Sequence, residues 1–409
     1  MSISSRPVSD STSQITAMQQ SVEPVTSPAL AMPRPHMKRR PTIIIPESSE
    51  TLAEIDDALT PTSFSKAAFA ALKSKNGFVL NNINGEFAAA GNDMFRAFDD
   101  FRAQPADTIA KFSANSKNMN GYYPDGSHLF GSRIGPRMFA NIDKNKMVSH
   151  PLPEPVEAKV GMKEAAQTFA GHVDIVLAKV VTALETGLGL SPGKLSAVFQ
   201  DHETKLSLNH SLPVTQEKLN DWMNIDKLTL TEDGRVEAFL AHQDLVPLSV
   251  LIYDDNETNG LEVEFADANG MRTYHPVKLN GEKQKQGVHA VVILGRAMEN
   301  LTDGLLHGAP HRVVAEPLES GKLFKRTSLN AFVFIGPDLA LQPVLTAPDG
   351  PHFASMSMQQ FFTEHSKIYA EAAQQAAVKE LPAEVLGAFP KDAEIVQVQT
   401  QTGPAYRRL

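Results

Sequence analysis

The chain has 409 residues, a hydrophobic share of 42%, a charged share of 21% and a formal net charge of -9. It is long enough for a sizeable core, and its acidic balance argues against a nucleic-acid partner, which needs a basic face to meet phosphates. With no cysteine, disulfides, thiolate nucleophiles, iron–sulfur clusters and Cys-type zinc sites are all excluded, so any metal must be held by His, carboxylate or backbone oxygen.

Residues 1–40 are rich in Ser, Pro, Thr and Gln without apolar periodicity and read as a disordered tail, ending in the basic run Lys38-Arg39-Arg40. The basic run reads as a solvated charge cluster before the fold, with a nuclear or translocation signal as the alternative. No secretory-type apolar core and no membrane-length apolar stretch occurs, so the expectation is a cytoplasmic protein with no membrane partner. Order is expected to begin at the β-branched run Thr42–Pro46. Phe64, Ala68, Ala71 and Leu72 then recur at helical spacing, Asn76-Gly77 supplies a stop, and Phe78-Val79-Leu80 reads as a strand. A further helix is predicted over 92–101. The stretch 118–138, full of Gly, Pro, Tyr and Asn, reads as loop.

The clearest helix runs from Met162 to Leu188, with Phe169, Val173, Val176, Val180 and Leu184 on one stripe and Gly187 and Gly189 at its end. From about 205 to 337 the texture changes to short β-rich runs at 205–208, 236–241, 248–253, 261–265, 290–294, 312–315 and 328–335. Many short strands at close spacing indicate a sandwich or barrel, jelly roll among the options. Helix is expected again over 358–378. The division expected is a tail at 1–40, an N-terminal α/β part at 41–200, a β core at 201–345, and a C-terminal helical segment and tail at 346–409.

Two His-x-Asp triplets occur. His172-Val173-Asp174 lies inside the strong helix, where residues two apart point nearly opposite ways, so His172 is read as a structural or surface helix residue. His242-Gln243-Asp244 lies at the end of a predicted strand, where positions two apart share a face and can grip one ion. His311 opens another predicted strand and is the candidate third ligand. Two His and one carboxylate on one face of an octahedron leave positions open, as non-haem Fe(II) oxygen chemistry requires. Arg326-Thr327-Ser328 places a guanidinium beside a hydroxyl on one strand face, which suits a carboxylate; a surface Arg on an edge strand is the plain alternative.

The runs 241–244, 248–251 and 259–263, followed by 291–295, 303–306, 311–314 and 326–328, resemble the isopenicillin N synthase-like family of 2-oxoglutarate- and Fe(II)-dependent dioxygenases. The resemblance covers about residues 42–375. It implies a double-stranded β-helix of jelly-roll (cupin-like) type flanked by helices, with a helical N-terminal part. It also implies Fe(II) on His242, Asp244 and His311. His307 is a rival third ligand, but Val313-Val314 after His311 matches the family pattern. By the same resemblance Arg326 and Ser328 hold the distal carboxylate of 2-oxoglutarate. The family's Asn-x-Tyr-x-Pro stretch has its counterpart at Asn209–Pro213, with Ser211 in place of the tyrosine. Arg296 stands where the family has Asp and is read as a surface change.

The implied activity is oxidation, by default hydroxylation, of a small metabolite, by family analogy one of specialised metabolism, with dioxygen consumed and succinate and carbon dioxide formed. Tyr122, Tyr123 and Arg133 in the Gly-rich stretch are the candidate substrate contacts. Three alternatives stand beside it: a 2-oxoglutarate-independent member drawing electrons from substrate or ascorbate, a zinc hydrolase, and a ligand-binding protein on the same scaffold. Substrate identity and oligomeric state are not encoded in any motif.

Overall fold

A computed structural model gives the structure of the chain. It describes residues 51–81, 83–114, 120–123, 137–143, 145–148, 151–157, 160–211, 231, 235–253, 260–266, 270–277, 289–315, 326–336, 339–345, 350–365, 395–400 and 403–408. The tail at 1–40, the run Thr42–Pro46, Arg133, the turn around Gly321 and positions 366–378 lie outside them.

The N-terminal part is β1 (Ala53–Asp56), α1 (Pro61–Lys75), β2 (Gly77–Asn81), α2 (Gly85–Arg102), α3 (Ala106–Ala110), β3 (Gly121–Tyr123), β4 (Arg137–Ile142) and α4 (Met162–Leu188). Local chemistry sets these ends. Asn84 Oδ1 accepts from Phe87 N at 2.7 Å and starts α2. Asn76, at φ 59°, turns the chain out of α1 in the left-handed region that Asn tolerates. The α4 stripe from Phe169 to Leu184 is buried throughout, as the spacing predicts.

The strands β5 (Glu203–Ser211), β6 (Val236–His242), β7 (Leu248–Tyr253), β8 (Leu261–Ala266), β9 (Arg272–Pro276) and β10 (His289–Leu294) follow. Then come α5 (Arg296–Leu301), β11 (His311–Ala315), β12 (Arg326–Phe334), a short β13 (Ala340–Leu341) paired with β14 (Met356–Ser357), and α6 (358–365). Within the expected C-terminal segment, β15 (Ile395–Thr400) pairs antiparallel with β16 (Gly403–Arg408).

An eight-stranded sheet runs β1-β2-β10-β7-β12-β5-β4-β3, and a four-stranded sheet runs β6-β11-β8-β9. Strand alternation gives the large sheet two faces. One carries Leu206, Leu208, Leu329, Ala331 and Val333 and packs on α1, α2 and α4 in the main apolar cluster. The other carries Val79, Leu251, Val291 and Ile293 and packs on Ala238, Leu261, Val263 and Val313 of the small sheet. This is a jelly-roll sandwich with helices on one outer face.

Two differences from the sequence reading have physical causes. The expected boundary near residue 200 crosses a single sheet: β1 to β4 lie in the large sheet together with β5, β7, β10 and β12. The stretch 118–138, read as loop from its Gly and Pro content, holds β3 and the start of β4. These strands are bonded to one another and to β5, pairings that local composition does not report.

Candidate metal centre

Antiparallel pairing of β6 with β11 sets His242 directly opposite His311. Their rings lie 4.3 Å apart between centroids. Asp244 sits two residues beyond the end of β6, in the connection to β7, so the turn rather than strand alternation carries it to His242. Three contacts hold it there. Arg296 N donates to Asp244 O at 2.7 Å, Gly295 N donates to Pro247 O at 3.0 Å, and Ser249 Oγ donates to Asp244 Oδ2 at 2.5 Å. Gly295 is required: a Cβ there would stand 1.9 Å from Val246 O and 2.8 Å from Asp244 O. The Gln243 side chain donates to Gly308 O at 2.7 Å and ties the two ligand-bearing segments together.

One donor atom from each of His242, Asp244 and His311 lies within 4.8 Å of the others. Asp244 Oδ1 is 3.5 Å from His242 Nε2 and 3.9 Å from His311 Nε2. His242 Nδ1 faces Leu240 O at 2.8 Å and His311 Nδ1 faces Ala309 O at 3.0 Å. A carbonyl only accepts, so each Nδ1 carries the proton and each Nε2 presents its lone pair inward. Ser249 occupies Oδ2 of the carboxylate and leaves Oδ1 to the same centre. Two imidazole nitrogens and one carboxylate oxygen, each oriented by a backbone or hydroxyl partner, fit a divalent transition metal.

The charge states agree. Burial lowers His311 to about 4, with the neighbouring His242 acting in the same direction, so the ring is neutral at pH 7. Burial alone would raise Asp244, but the two imidazoles and the Ser249 hydroxyl outweigh it and hold the carboxyl at about 2. A neutral imidazole and an ionised carboxylate are the forms that bind metal.

Arg326 and Ser328 are both buried on β12, and Arg326 Nη1 donates to Ser328 Oγ at 2.9 Å. They share a strand face, as their spacing predicts. Asn330 of the same strand pairs with Leu251, which packs between the sheets, so Arg326 and Ser328 point to the side of the large sheet that faces β6 and β11. Asn209 is paired across β5 with Ser328, and its Nδ2 lies 3.5 Å from Ser328 Oγ, the outer limit of a hydrogen bond. Ser211 pairs with Arg326 by backbone register.

Other predicted residues go elsewhere. His307 Nδ1 is 3.0 Å from Glu299 Oε1, away from the triad. His172 stacks on Phe87 at 5.4 Å, and Asp174 bonds to Lys146 and to His202. Tyr122 turns toward the helices, its ring edge-on to Phe101 at 5.2 Å, whereas Tyr123 meets Phe139 at 5.5 Å on the opposite side of β3. Arg296 is half-buried at the start of α5, and its charge acts on His365. Ser249, Gly295 and Arg137 were not singled out in the sequence. The Gly that follows the apolar run 290–294 was the available signal for Gly295; a Ser in an apolar strand gave none for Ser249.

No family model matches the sequence, and no curated protein does either. Solved structures do. A full-length Neurospora crassa protein in complex with alpha-KG aligns with a TM-score of 0.57 at 17% identity, over 79% of this chain and 98% of that one. A 2OG-Fe(II) oxygenase family protein from Caulobacter crescentus gives 0.57 at 19%, over 78% and 99%. The chain has the 2OG-Fe(II) oxygenase fold. JOX2 in complex with 2OG, Fe and JA adds a third likeness to this fold, with a TM-score of 0.55 at 19% identity over 76% and 83%. Within the described residues no helix is long and apolar enough to cross a membrane.

Proposed function

We propose that this protein is a 2-oxoglutarate- and Fe(II)-dependent dioxygenase that hydroxylates a small molecule. The observation that carries the reading is the convergence of His242 Nε2, His311 Nε2 and Asp244 Oδ1 within 4.8 Å; the buried Arg326–Ser328 pair on the inward side of β12 supports it. The ligands of the aligned structures, alpha-KG in the Neurospora crassa protein and 2OG, Fe and JA in JOX2, support it.

His242, Asp244 and His311 would hold the iron, and three protein ligands leave positions for co-substrate and dioxygen. With these bound, the metal supplies the power to oxidise a C–H bond while 2-oxoglutarate is converted to succinate and carbon dioxide. The chain's own part is positioning. Arg326 and Ser328 present a guanidinium and a hydroxyl to the distal carboxylate of 2-oxoglutarate. Ser249 and the Leu240 and Ala309 carbonyls fix the ligand atoms so that none must reorient on loading. The apolar cluster between the sheets walls one side of the site and keeps water from it.

The test is anaerobic titration of Fe(II) and 2-oxoglutarate into the metal-free protein, following the weak visible charge-transfer band of a chelated keto acid. The band is expected to appear in the wild type and to disappear in Asp244→Ala. Bound iron without the band would overturn the 2-oxoglutarate assignment, and absent iron binding would overturn the metal site.

A further inference from the structure

Arg137 opens β4 on the face of the large sheet turned toward the small one. Backbone register places Tyr123, Arg137, Asn209 and Ser328 in one row across β3, β4, β5 and β12. Arg137 therefore stands two strands, about 10 Å, from the Ser328 position. It is 6% exposed. Its guanidinium lies over the Phe239 ring at 5.2 Å, and that ring packs 4.6 Å from the ring of His242. Phe239 and His242 are three apart in sequence and would face opposite ways on a regular strand. The register shift between their pairings with β11 turns both to the site.

Among the described residues no carboxylate pairs with Arg137. The charge that acts on it is another cation, Arg326; burial and that neighbour lower it to about 10. A buried guanidinium that no described carboxylate pairs is costly to leave uncompensated, and here it faces the ligand side of the fold rather than the helix side. A bound anion would offset that cost. Arg326 and Ser328 already form a two-donor grip for 2-oxoglutarate, so a second cation two strands away is left for a second anion.

We propose that Arg137 binds a carboxylate group of the organic substrate, so that the protein acts on small carboxylic acids. Tyr123, paired with Arg137 across β3 and β4, stands beside that carboxylate. The planar fork of Arg137 allows two parallel hydrogen bonds, and the Phe239 ring lies against the guanidinium. A substrate anchored there runs past His242 toward the metal ligands. Arg137 thus selects the substrate and sets which carbon is presented. This rests on the oxygenase reading above.

The experiment is calorimetric titration of phenylacetate and 4-phenylbutyrate against their amides. Wild-type, Arg137→Gln and Arg137→Lys full-length proteins are compared under anaerobic conditions with saturating Fe(II) and 2-oxoglutarate. The wild type is expected to prefer carboxylate over amide by about 10- to 100-fold, the worth of a charge-assisted pair. Arg137→Gln should abolish that preference and Arg137→Lys should retain part of it. The charge-transfer band should be unchanged in both variants, and the ligand-free Tm of Arg137→Gln should equal or exceed the wild type's. No preference in the wild type, or a preference that survives Arg137→Gln, overturns the proposal. A weakened 2-oxoglutarate titration makes Arg137 a co-substrate contact instead, and a ligand-free Tm lowered by several degrees makes it structural; either overturns it too. A carboxylate preference that depends on Arg137, in a protein giving no charge-transfer band, would leave the anion site standing and remove the oxygenase reading alone.

Discussion

Ser249, fully buried on β7, donates to Asp244 Oδ2 at 2.5 Å and so joins the large sheet to the one carboxylate of the metal triad. The bond takes up one carboxylate oxygen and leaves the other facing both imidazoles. Ser249→Ala removes the donor without adding bulk. Fe(II) affinity is expected to fall about 10- to 100-fold, as for other outer partners of metal ligands, with the circular dichroism spectrum unchanged. Unaltered affinity would show that the backbone grip of Arg296 on Asp244 suffices.

Arg326→Ala leaves the metal ligands in place and removes the guanidinium beside Ser328. The 2-oxoglutarate concentration needed to half-saturate the charge-transfer band should rise about 10- to 100-fold. Iron binding without co-substrate should stay within about twofold. A parallel loss of iron would mark Arg326 as part of the scaffold.

Gly295 and Gly171 make a contrasting pair. A Cβ at Gly295 meets backbone oxygen on two sides, so Gly295→Ala should cost about 3 kcal/mol or more and lose iron along with stability. Gly171 lies inside α4 with nothing within 4 Å of its Cβ position, so Gly171→Ala should gain about 0.5–1 kcal/mol. Urea unfolding midpoints measure both, and a tolerated Gly295→Ala would contradict the tight passage at Asp244.

His202 gives a pH signature. Its Nδ1 faces Phe199 O at 2.8 Å and its Nε2 faces Asp174 Oδ1 at 3.0 Å, so both nitrogens point at acceptors and the doubly protonated ring satisfies both. The Asp174 bond, with smaller help from the Phe199 carbonyl, raises its pKa despite burial. A group raised on folding stabilises fully below its unfolded pKa and loses that contribution as pH rises through the folded value. The stability difference between wild type and His202→Gln should therefore be largest below pH ~6.5. There it should reach about 1 kcal/mol and shrink at higher pH. A difference that does not vary between pH 5 and 9 would show that the ring is neutral in the fold.

The helix Met162–Leu188 was legible to the residue because it writes a 3.6 period into its apolar positions, and the strand Leu248–Tyr253 because a short, β-branched apolar run fits a strand covered on both faces. The strand β4 was not, because its Gly- and Pro-rich approach reads as loop and its partners lie in distant sequence. The pairing of His242 with Asp244 was legible for a partly different reason than alternation: Asp244 lies past the strand, where Gly295, Arg296 and Ser249 hold it.

By itself the sequence determined which atoms are available: two imidazoles, a carboxylate, an Arg-x-Ser pair and no thiol. Only the tertiary structure decided how they meet. The register of β6 with β11 set His242 against His311, backbone carbonyls chose the ring nitrogens that face inward, and sheet order brought Arg137 into the row of Ser328. Each of these depends on hydrogen bonds between strands far apart in the chain, which no local pattern of residues encodes.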